Sequence, residues 1–232
     1  NKMIDVGFTD LKAALLNAEL VVLAVPVDSI IKLFSTINHY LKRGCLVTDV
    51  GSAKAKIVTA AETTLNSPGF FVGSHPLAGS EKSGANHASA ELFENSLCIM
   101  TPTEKTNPLT KEKIKHFWTK LGAQVKFLPA EEHDDILSYI SHLPHLLAYG
   151  LIATIPQEYL AYATQGLKDT TRIAASSPQM WNSICMANSQ KIIKSLDELV
   201  QNLSYLRKAL IQHDQKSLTY HFTKAKEKRD GF

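Results

Sequence analysis

The chain has 232 residues, of which 44% are hydrophobic, and a formal charge of +3 at pH 7. These values indicate a folded globular protein with one sizeable core or two smaller ones. Since lysine and arginine are dispersed, apart from a basic tail at residues 224–229, we expect neither a nucleic acid nor a membrane as a partner.

The cysteines and the N-terminus indicate the compartment. Cys45, Cys98 and Cys185 lie far apart and without CxxC spacing, which predicts buried thiols in a reducing environment rather than disulfides. The N-terminus shows no signal-peptide pattern, and the sequence has no run of about 18 or more apolar residues. We therefore expect a cytoplasmic protein that does not span a membrane.

The first half of the sequence alternates short apolar runs with helical periods. Residues 20–25, which are uncharged and rich in valine and leucine, predict a strand covered on both faces. Further strands are predicted at residues 46–50, 70–72 and 97–100, and helices at residues 30–41, 53–65 and 114–121. This order predicts the α/β class, with a doubly wound parallel sheet whose ligand crevice lies at the carboxyl ends of its strands.

Three turns follow these strands: Val25 with Pro26, Gly51 with Ser52, and the segment that carries His75. Because the carboxyl ends of parallel strands meet at one edge of a sheet, these turns predict a cleft for a nucleotide and a substrate. Residues 73–84 (GSHPLAGSEKSG) hold the greatest variety of reactive side chains, since an imidazole, hydroxyls, a carboxylate and an ammonium lie among glycines. An ordinary polar turn also fits such a run.

After Pro129 the strand signals end. Helices are predicted at residues 135–155, 178–186 and 188–213, and a polar loop at residues 169–178 carries Arg172. The last helix has an apolar seam, formed by Ile192, Leu196, Leu199, Leu203, Leu206 and Leu210. Such a seam either fills an intramolecular bundle or forms a homodimer, and we favour the homodimer because a helical lobe of this size buries little surface alone.

One element of a dinucleotide-binding sheet is not found in the sequence. No G-x-G-x-x-G turn links a first strand to a helix whose N-terminus holds a pyrophosphate. We therefore expect that a leading β-α-β unit of roughly 40 to 50 residues is missing from this chain.

Five segments together resemble one known family. They are DVGSAK at residues 49–54, SHPLAGSEKSG at residues 74–84, SHLPH at residues 141–145, KDTTRIA at residues 168–174, and Met180–Trp181 with Asn188. With these segments in this order, the chain resembles the prephenate/arogenate dehydrogenases of tyrosine biosynthesis over almost its whole length.

The resemblance implies a partial Rossmann-like dinucleotide-binding domain at residues 1–129 and a helical substrate and dimerisation domain at residues 130–232. It also implies NAD(P)-dependent oxidative decarboxylation of prephenate to 4-hydroxyphenylpyruvate, with NAD or NADP as the cofactor. Arogenate is the alternative substrate, and tyrosine is a possible feedback ligand.

The resemblance assigns roles to individual residues. His75 is expected to be the base, since imidazole titrates near neutrality, and Ser52 is expected to orient its ring and to contact the nicotinamide. Arg172 suits a carboxylate clamp, because guanidinium binds carboxylate with two parallel hydrogen bonds. The other expected contacts are His145, His133, Glu81 and Ser80 with the substrate, and Val25, Pro26 and Gly51 with the cofactor.

Three alternatives remain open. His142 and His145 have a spacing seen in metal sites, but Pro144 interrupts the helix and no further ligand lies nearby, so we expect no metal. Another β-hydroxyacid dehydrogenase would share the architecture, but would use a lysine or an asparagine-lysine pair where this chain has His75. A non-catalytic protein that has lost its phosphate loop would bind the aromatic precursor without turning it over.

Overall fold

The computed structural model describes residues 4–79 and 84–231. Five strands form one sheet: β1 (Leu20–Leu23), β2 (Leu46–Asp49), β3 (Phe71–Pro76), β4 (Leu97–Thr101) and β5 (Gln124–Phe127). Their spatial order is the same as their order in the chain. Sequence patterns missed β5, whose residues alternate weakly and are largely exposed at the edge of the sheet.

Ten α-helices accompany the sheet in the described ranges. They are α1 (Leu11–Leu15), α2 (Val27–Ile37), α3 (Ala55–Thr64), α4 (Pro108–Lys120), α5 (Ala130–Leu137), α6 (Leu143–Thr154), α7 (Gln165–Thr171), α8 (Pro178–Ala187), α9 (Ser189–Ile211) and α10 (Gln215–Asp230). We call β1–β5 with α1–α4 the sheet lobe, and the helices from α5 onward the helical lobe.

The sheet is mostly parallel, as predicted, but one pair departs from that pattern. β1, β2 and β3 run parallel, and so do β4 and β5, whereas β3 and β4 are antiparallel. A parallel pair needs a long crossover, usually a helix. The described part of the β3–β4 connection has only a short 3-10 helix, Ala85–His87, so the chain returns in the opposite direction.

Helices cover both faces of the sheet, which confirms the doubly wound layout. On one face, α2 and α3 bury a core that includes Phe34, Ile57 and Phe71. On the other face, α4 buries Trp118 against Met100. β1 is only half-buried over most of its length, because it lies at an edge of the described sheet, so the prediction that it is covered on both faces was wrong.

His75 lies within a strand and not in the loop that the sequence predicted. β3 continues to Pro76 because β4 pairs with it, with His75 opposite Ile99 and Pro76 opposite Cys98. All six residues of β3 are buried. The imidazole therefore has a rigid backbone rather than a mobile one.

The helical lobe opens with one long helix that widens in its middle. α5 and α6 are continuous through a π-helical turn at Ser138–His142, where the N–H of Leu143 bonds to the carbonyl of Ser138. The cause is Pro144, which has no N–H and whose ring would collide with the carbonyl four residues earlier in a regular α-helix. The helix also begins five residues before the predicted start, at Ala130.

The long helix Ala130–Thr154 is apolar enough to meet the length and hydropathy test for a membrane span, although the sequence reading expected none. It carries the buried charged residue Asp134, and α5 packs against α3 of the sheet lobe. A single helix that passes by length and composition is weak evidence for a membrane span, since helices of folded proteins pass the same test.

The predicted polar loop before α8 is mostly helical. Residues 169–171 end α7, and Arg172 begins a short 3-10 helix, Arg172–Ala175.

The apolar seam on α9 is buried at one end and exposed at the other. Ile192 is buried inside the lobe, whereas Leu203 and Leu210 are 49% and 60% exposed. The α9 seam therefore fills the lobe at its start and leaves an apolar surface towards its end.

Candidate active site

A cavity of about 490 Å³ opens between the carboxyl end of β3 and the helical lobe. It combines residues that are distant in sequence, among them Ser52, His75, Leu77, Gly79, Ile140, His145, Arg172, Met180 and Trp181. Four predicted site residues thus meet in one place: Ser52, His75, His145 and Arg172. Arg172 is the charged side chain among the described lining residues, which include no carboxylate.

The ring of His75 is held from behind by a second histidine. Its Nδ1 lies 2.8 Å from Nε2 of His133, and Nδ1 of His133 lies 2.8 Å from a carboxylate oxygen of Asp134. The expectation that Ser52 orients this ring is therefore corrected. Ser52 is half-buried in the cavity wall, but Nδ1 of the His75 ring makes its hydrogen bond with His133.

His133 is not where the sequence predicted it. It is fully buried and lies behind His75, away from the cavity lining, so it does not reach a ligand in the cavity as a gate would. The physical reason is that α5 packs directly on the sheet lobe and directs this side of the helix into the core. Sequence reasoning missed Asp134, because a carboxylate beside a histidine on a helix has no distinctive pattern.

The burial of this chain of residues sets its protonation. Burial raises the pKa of Asp134, but hydrogen bonds from His133 and from the N–H groups of Lys54 and Ala55 outweigh it, so this pKa lies below its usual value. Burial lowers the pKa of His133, although Asp134 opposes the shift. Burial, followed by electrostatic interactions with His133, Lys54 and His142, holds the pKa of His75 well below its usual range.

The directions of these pKa shifts determine which ring nitrogens of His133 and His75 carry a hydrogen. An ionised Asp134 only accepts, so Nδ1 of His133 donates to it and Nε2 of His133 is an acceptor. Nδ1 of His75 then donates to His133, which leaves Nε2 of His75 with a lone pair. The arrangement is that of a general base whose tautomer is set by a carboxylate through an intervening imidazole.

A buried ion pair lies under the same edge of the sheet. The ammonium of Lys54 contacts the carboxylate of Asp49, and both side chains are fully buried. Lys54 also donates to the carbonyl of Ser74 at 2.8 Å. Burial lowers the pKa of Lys54, and the charge of Asp49 opposes this shift. Both residues belong to the segment DVGSAK, but nothing in the sequence distinguished them from surface charges.

Opposite His75, His145 and Trp181 form the wall of the helical lobe. Their rings stack with centroids 3.6 Å apart and an interplanar angle of 23°. Nδ1 of His145 bonds to the carbonyl of Ser141 at 2.9 Å, which leaves its Nε2 to accept. Burial, and more weakly Arg172, lowers the pKa of His145. Trp181 also belongs to the core and is 7% exposed.

His142 points away from the cavity. It is fully buried, with Nδ1 3.2 Å from the amide nitrogen of Asn188, and burial lowers its pKa to about 4. Asn188 also donates to the backbone carbonyl of Asp134 at 2.7 Å. His142 and Asn188 therefore fasten α9 to the long helix. In the part of the chain that the structure describes, no three His, Cys, Asp or Glu side chains converge as metal ligands.

The residues predicted to hold a cofactor lie at the edge of the sheet. Val25 and Pro26 are exposed just beyond the end of β1, and Gly51 is buried beyond the end of β2, followed by Ser52 in the cavity. Ser80 and Glu81, predicted to contact the substrate, lie outside the described residues.

Comparisons with known proteins agree with this architecture. The family model described as prephenate dehydrogenase, nucleotide-binding domain, matches residues 2–127. The model described as prephenate dehydrogenase, dimerization domain, matches residues 129–224.

Among curated relatives, prephenate dehydrogenase of Bacillus subtilis is 38% identical over 93% of this chain and 60% of its own length. Cyclohexadienyl dehydrogenase of Zymomonas mobilis is 32% identical over 95% of this chain and 77% of its own length. The chain thus spans about three fifths of the first relative and about three quarters of the second.

Among solved structures, prephenate dehydrogenase from Aquifex aeolicus in complex with hydroxyphenyl propionate and NAD+ superposes with a TM-score of 0.89 at 31% identity, covering 97% of this chain and 80% of that one. Arogenate dehydrogenase from Synechocystis superposes with a TM-score of 0.79 at 26% identity, over 97% of this chain and 82% of that one. Since the two family models together match nearly the whole sequence, the chain belongs to the prephenate dehydrogenase family.

Proposed function

We propose that the full-length protein catalyses the NAD-dependent oxidative decarboxylation of prephenate to 4-hydroxyphenylpyruvate, in the cytoplasm and as a step of tyrosine biosynthesis. The observation that carries the proposal is the chain Asp134–His133–His75, which ends in an imidazole with a free lone pair at a cavity that also holds Arg172. Relatives named prephenate, cyclohexadienyl and arogenate dehydrogenases support the reaction class.

The reaction needs one base and anion recognition. Prephenate carries a ring hydroxyl, a ring carboxylate and a side-chain carboxylate. NAD, when bound, supplies the acceptor for the hydride that leaves the carbinol carbon. Nε2 of His75 takes the hydroxyl proton, and the resulting positive charge is shared through His133 with Asp134. Loss of carbon dioxide from the ring carboxylate then makes the ring aromatic.

The cavity suits a doubly negative substrate. Its described lining has the guanidinium of Arg172. Arg172 binds one substrate carboxylate through two parallel hydrogen bonds, which a planar guanidinium favours. Nε2 of His145, directed by the bond of Nδ1 to Ser141, provides a second polar contact. The apolar side chains of Leu77 and Met180 flank the ring of the substrate.

The residues present also fit a nicotinamide. Val25 is 41% exposed at the end of β1, so an apolar side chain is available against one ring face. At Gly51 an added Cβ would lie 2.5 Å from Ile57 and 2.9 Å from a carboxylate oxygen of Asp49, so a side chain there would displace this packing. Val25, Pro26, Gly51 and Ser52 would hold the nicotinamide end, next to His75.

We further propose that the protein is a homodimer through its helical lobe. Large apolar side chains are exposed on α9 and α10, including Ile193, Val200, Leu203, Leu210 and Phe222. Contiguous apolar patches of this kind mark interfaces in soluble proteins. The family model for this half of the chain is described as a dimerization domain.

The test is an assay of the full-length protein with prephenate or arogenate, each with NAD or NADP, followed by the absorbance of reduced nicotinamide. Turnover with prephenate and NAD is expected. Faster turnover with arogenate would replace the proposed substrate. A folded protein that binds prephenate but turns over neither acid with either cofactor would instead be a non-catalytic binding protein.

A further inference from the structure

A single carboxylate joins the two segments that carry Ser52 and His75. Asp49, the last residue of β2, accepts the N–H of Gly51 at 2.8 Å through Oδ2. Its other oxygen, Oδ1, accepts the N–H of Ser74 at 3.2 Å. Gly51 directly precedes Ser52, and Ser74 directly precedes His75. The spacing between the two candidate catalytic residues is therefore bridged by one side chain.

Lys54 completes this bridge from the start of α3. Its ammonium contacts the same carboxylate and donates to the carbonyl of Ser74 at 2.8 Å. The ion pair thus binds both the N–H and the C=O of Ser74, which fixes the backbone immediately before His75. The side chain of Ser74 is fixed as well, because its hydroxyl lies 2.8 Å from that of Thr48.

Stability alone does not account for such a pair. Removing two charges from water is expensive, and replacing a buried ion pair by apolar residues of similar volume is often neutral or stabilising. Both side chains of this pair are fully buried. Its placement between the Ser52 and His75 segments is the feature that an apolar pair would not reproduce.

We propose that Asp49 and Lys54 are positioning residues for the reaction, which hold Ser52 and His75 in a fixed relative geometry and set a positive charge beneath the imidazole. The proposal rests on the function proposed above. Neither residue touches the cavity, so both act through the backbone of Ser74 and through the field at His75.

The electrostatic field of Lys54 at His75 gives the positioning role a measurable effect, a change in the pKa of His75, that a purely structural role would not produce. Among the described residues, the titratable groups around the His75 ring are His133 and Asp134 of α5, His142 of the π turn, Cys98 of β4, Asp49 and Lys54 beneath it, and His145 and Arg172 across the cavity. Lys54 is among the charges that lower the pKa of His75. Removing its ammonium therefore raises this pKa, and the acid limb of kcat/KM follows.

The experiment compares Lys54→Met and the double variant Asp49→Asn/Lys54→Met with the full-length enzyme. Lys56→Met is the matched control, since Lys56 lies two residues away, is exposed, and bonds to the carbonyl of Met186 at 2.8 Å. For Lys54→Met we expect the acid limb to move up by about one pH unit and kcat to fall at least about tenfold, with little change in KM. The double variant should shift less, because no unpaired carboxylate remains under the ring.

Two outcomes distinguish a failure of the proposed function from a failure of the positioning role of Asp49 and Lys54. If the unaltered enzyme turns over neither prephenate nor arogenate, the proposed function fails, and kinetics cannot test the role of Asp49 and Lys54. Titration of the His75 ring by NMR in labelled protein then tests the pair directly. An unchanged His75 pKa in Lys54→Met, or in the double variant where Lys54→Met does not fold, overturns the proposal. The double variant leaves no unpaired buried charge, so it can be measured even if Lys54→Met does not fold. If the enzyme is active and the double variant keeps the pH profile and kcat of the unaltered enzyme, the pair has only a structural role.

Discussion

The carboxylate of Asp134 accepts the backbone N–H of Lys54 at 2.7 Å, although the two residues lie in different lobes and 80 positions apart. The other oxygen of Asp134 accepts the N–H of Ala55 at 2.9 Å, so Asp134 caps the first turn of α3. Since the same carboxylate orients His133, one side chain joins the two lobes and sets the tautomer of the base. The alignment of the lobes and the orientation of His75 are therefore coupled.

Replacing Asp134 by Ala is expected to weaken both features. The N–H groups of Lys54 and Ala55 would lose their buried acceptor, which destabilises the fold by about 1–3 kcal/mol. His133 would lose the partner that fixes its tautomer, so kcat should also fall. Denaturant unfolding and steady-state kinetics measure the two effects. Glu132→Gln, an exposed change on the same helix, is the control. Full stability in Asp134→Ala would show that the cap contributes little.

Replacing His75 by Ala is expected to reduce turnover far more than affinity. A positioned general base typically contributes about 10²–10⁴-fold to the rate, and the cavity contacts of Arg172 and His145 would remain. The kcat and KM for prephenate measure this directly. His116→Ala, at an exposed position on α4, should leave both constants unchanged. If turnover survives in His75→Ala, the base is a different group.

Replacing Arg172 by Ala is expected mainly to raise KM, because the carboxylate contact is present in both the ground state and the transition state. Arg172→Lys should recover only part of the affinity, since an ammonium does not form the two parallel bonds of a guanidinium. Calorimetric titration with prephenate complements the kinetics. Normal affinity in Arg172→Ala would assign the clamp to another residue.

Acidification below about pH 6.5 is expected to destabilise the fold through its buried histidines. The pKa values of His75, His133 and His142 are all lowered in the folded protein, whereas in the unfolded chain they are near 6.5. Below that pH the unfolded chain binds protons that the folded protein does not, so the free energy of unfolding falls as pH falls. At and above neutral pH these groups add no pH dependence.

His142 gives this prediction a magnitude. Its folded pKa of about 4 corresponds to a loss of about 3 kcal/mol between pH 6.5 and pH 4. Guanidinium unfolding at a series of pH values measures the slope, and His142→Asn should make it shallower. His213→Asn, at an exposed position, is the matched control. A stability that is independent of pH across this window would show that the buried histidines titrate normally.

A charge on the outer face of α9 is expected to dissociate the dimer. Leu203 is 49% exposed on the seam, so Leu203→Lys places an ammonium in the proposed interface without disturbing the core. Light scattering across a range of protein concentrations should report the monomer. Leu109→Lys alters a 72% exposed leucine of the sheet lobe and should remain dimeric. Dimers of unchanged stability in Leu203→Lys would place the interface elsewhere.

The sequence carried enough information for the fold class and for four members of the cavity. Apolar runs and helical periods are local signals, so the first four strands and the main helices were predicted near their observed positions. The segments around Ser52, His75, His145 and Arg172 have distinctive composition, and the structure brings these residues together. β5 was not predicted, because an exposed edge strand has no apolar run that would indicate it.

The sequence by itself determined which elements form and which residue types are available for chemistry, because hydrophobic period, proline and glycine act on the nearby backbone. Only the tertiary structure decided how they are used. The direction of β4, the burial of His133 behind His75, and the links from Asp49 to Ser74 and from Asp134 to Lys54 join residues far apart in the chain. Such contacts arise when elements pack together, and the energy of a buried charge depends on partners that no local pattern contains.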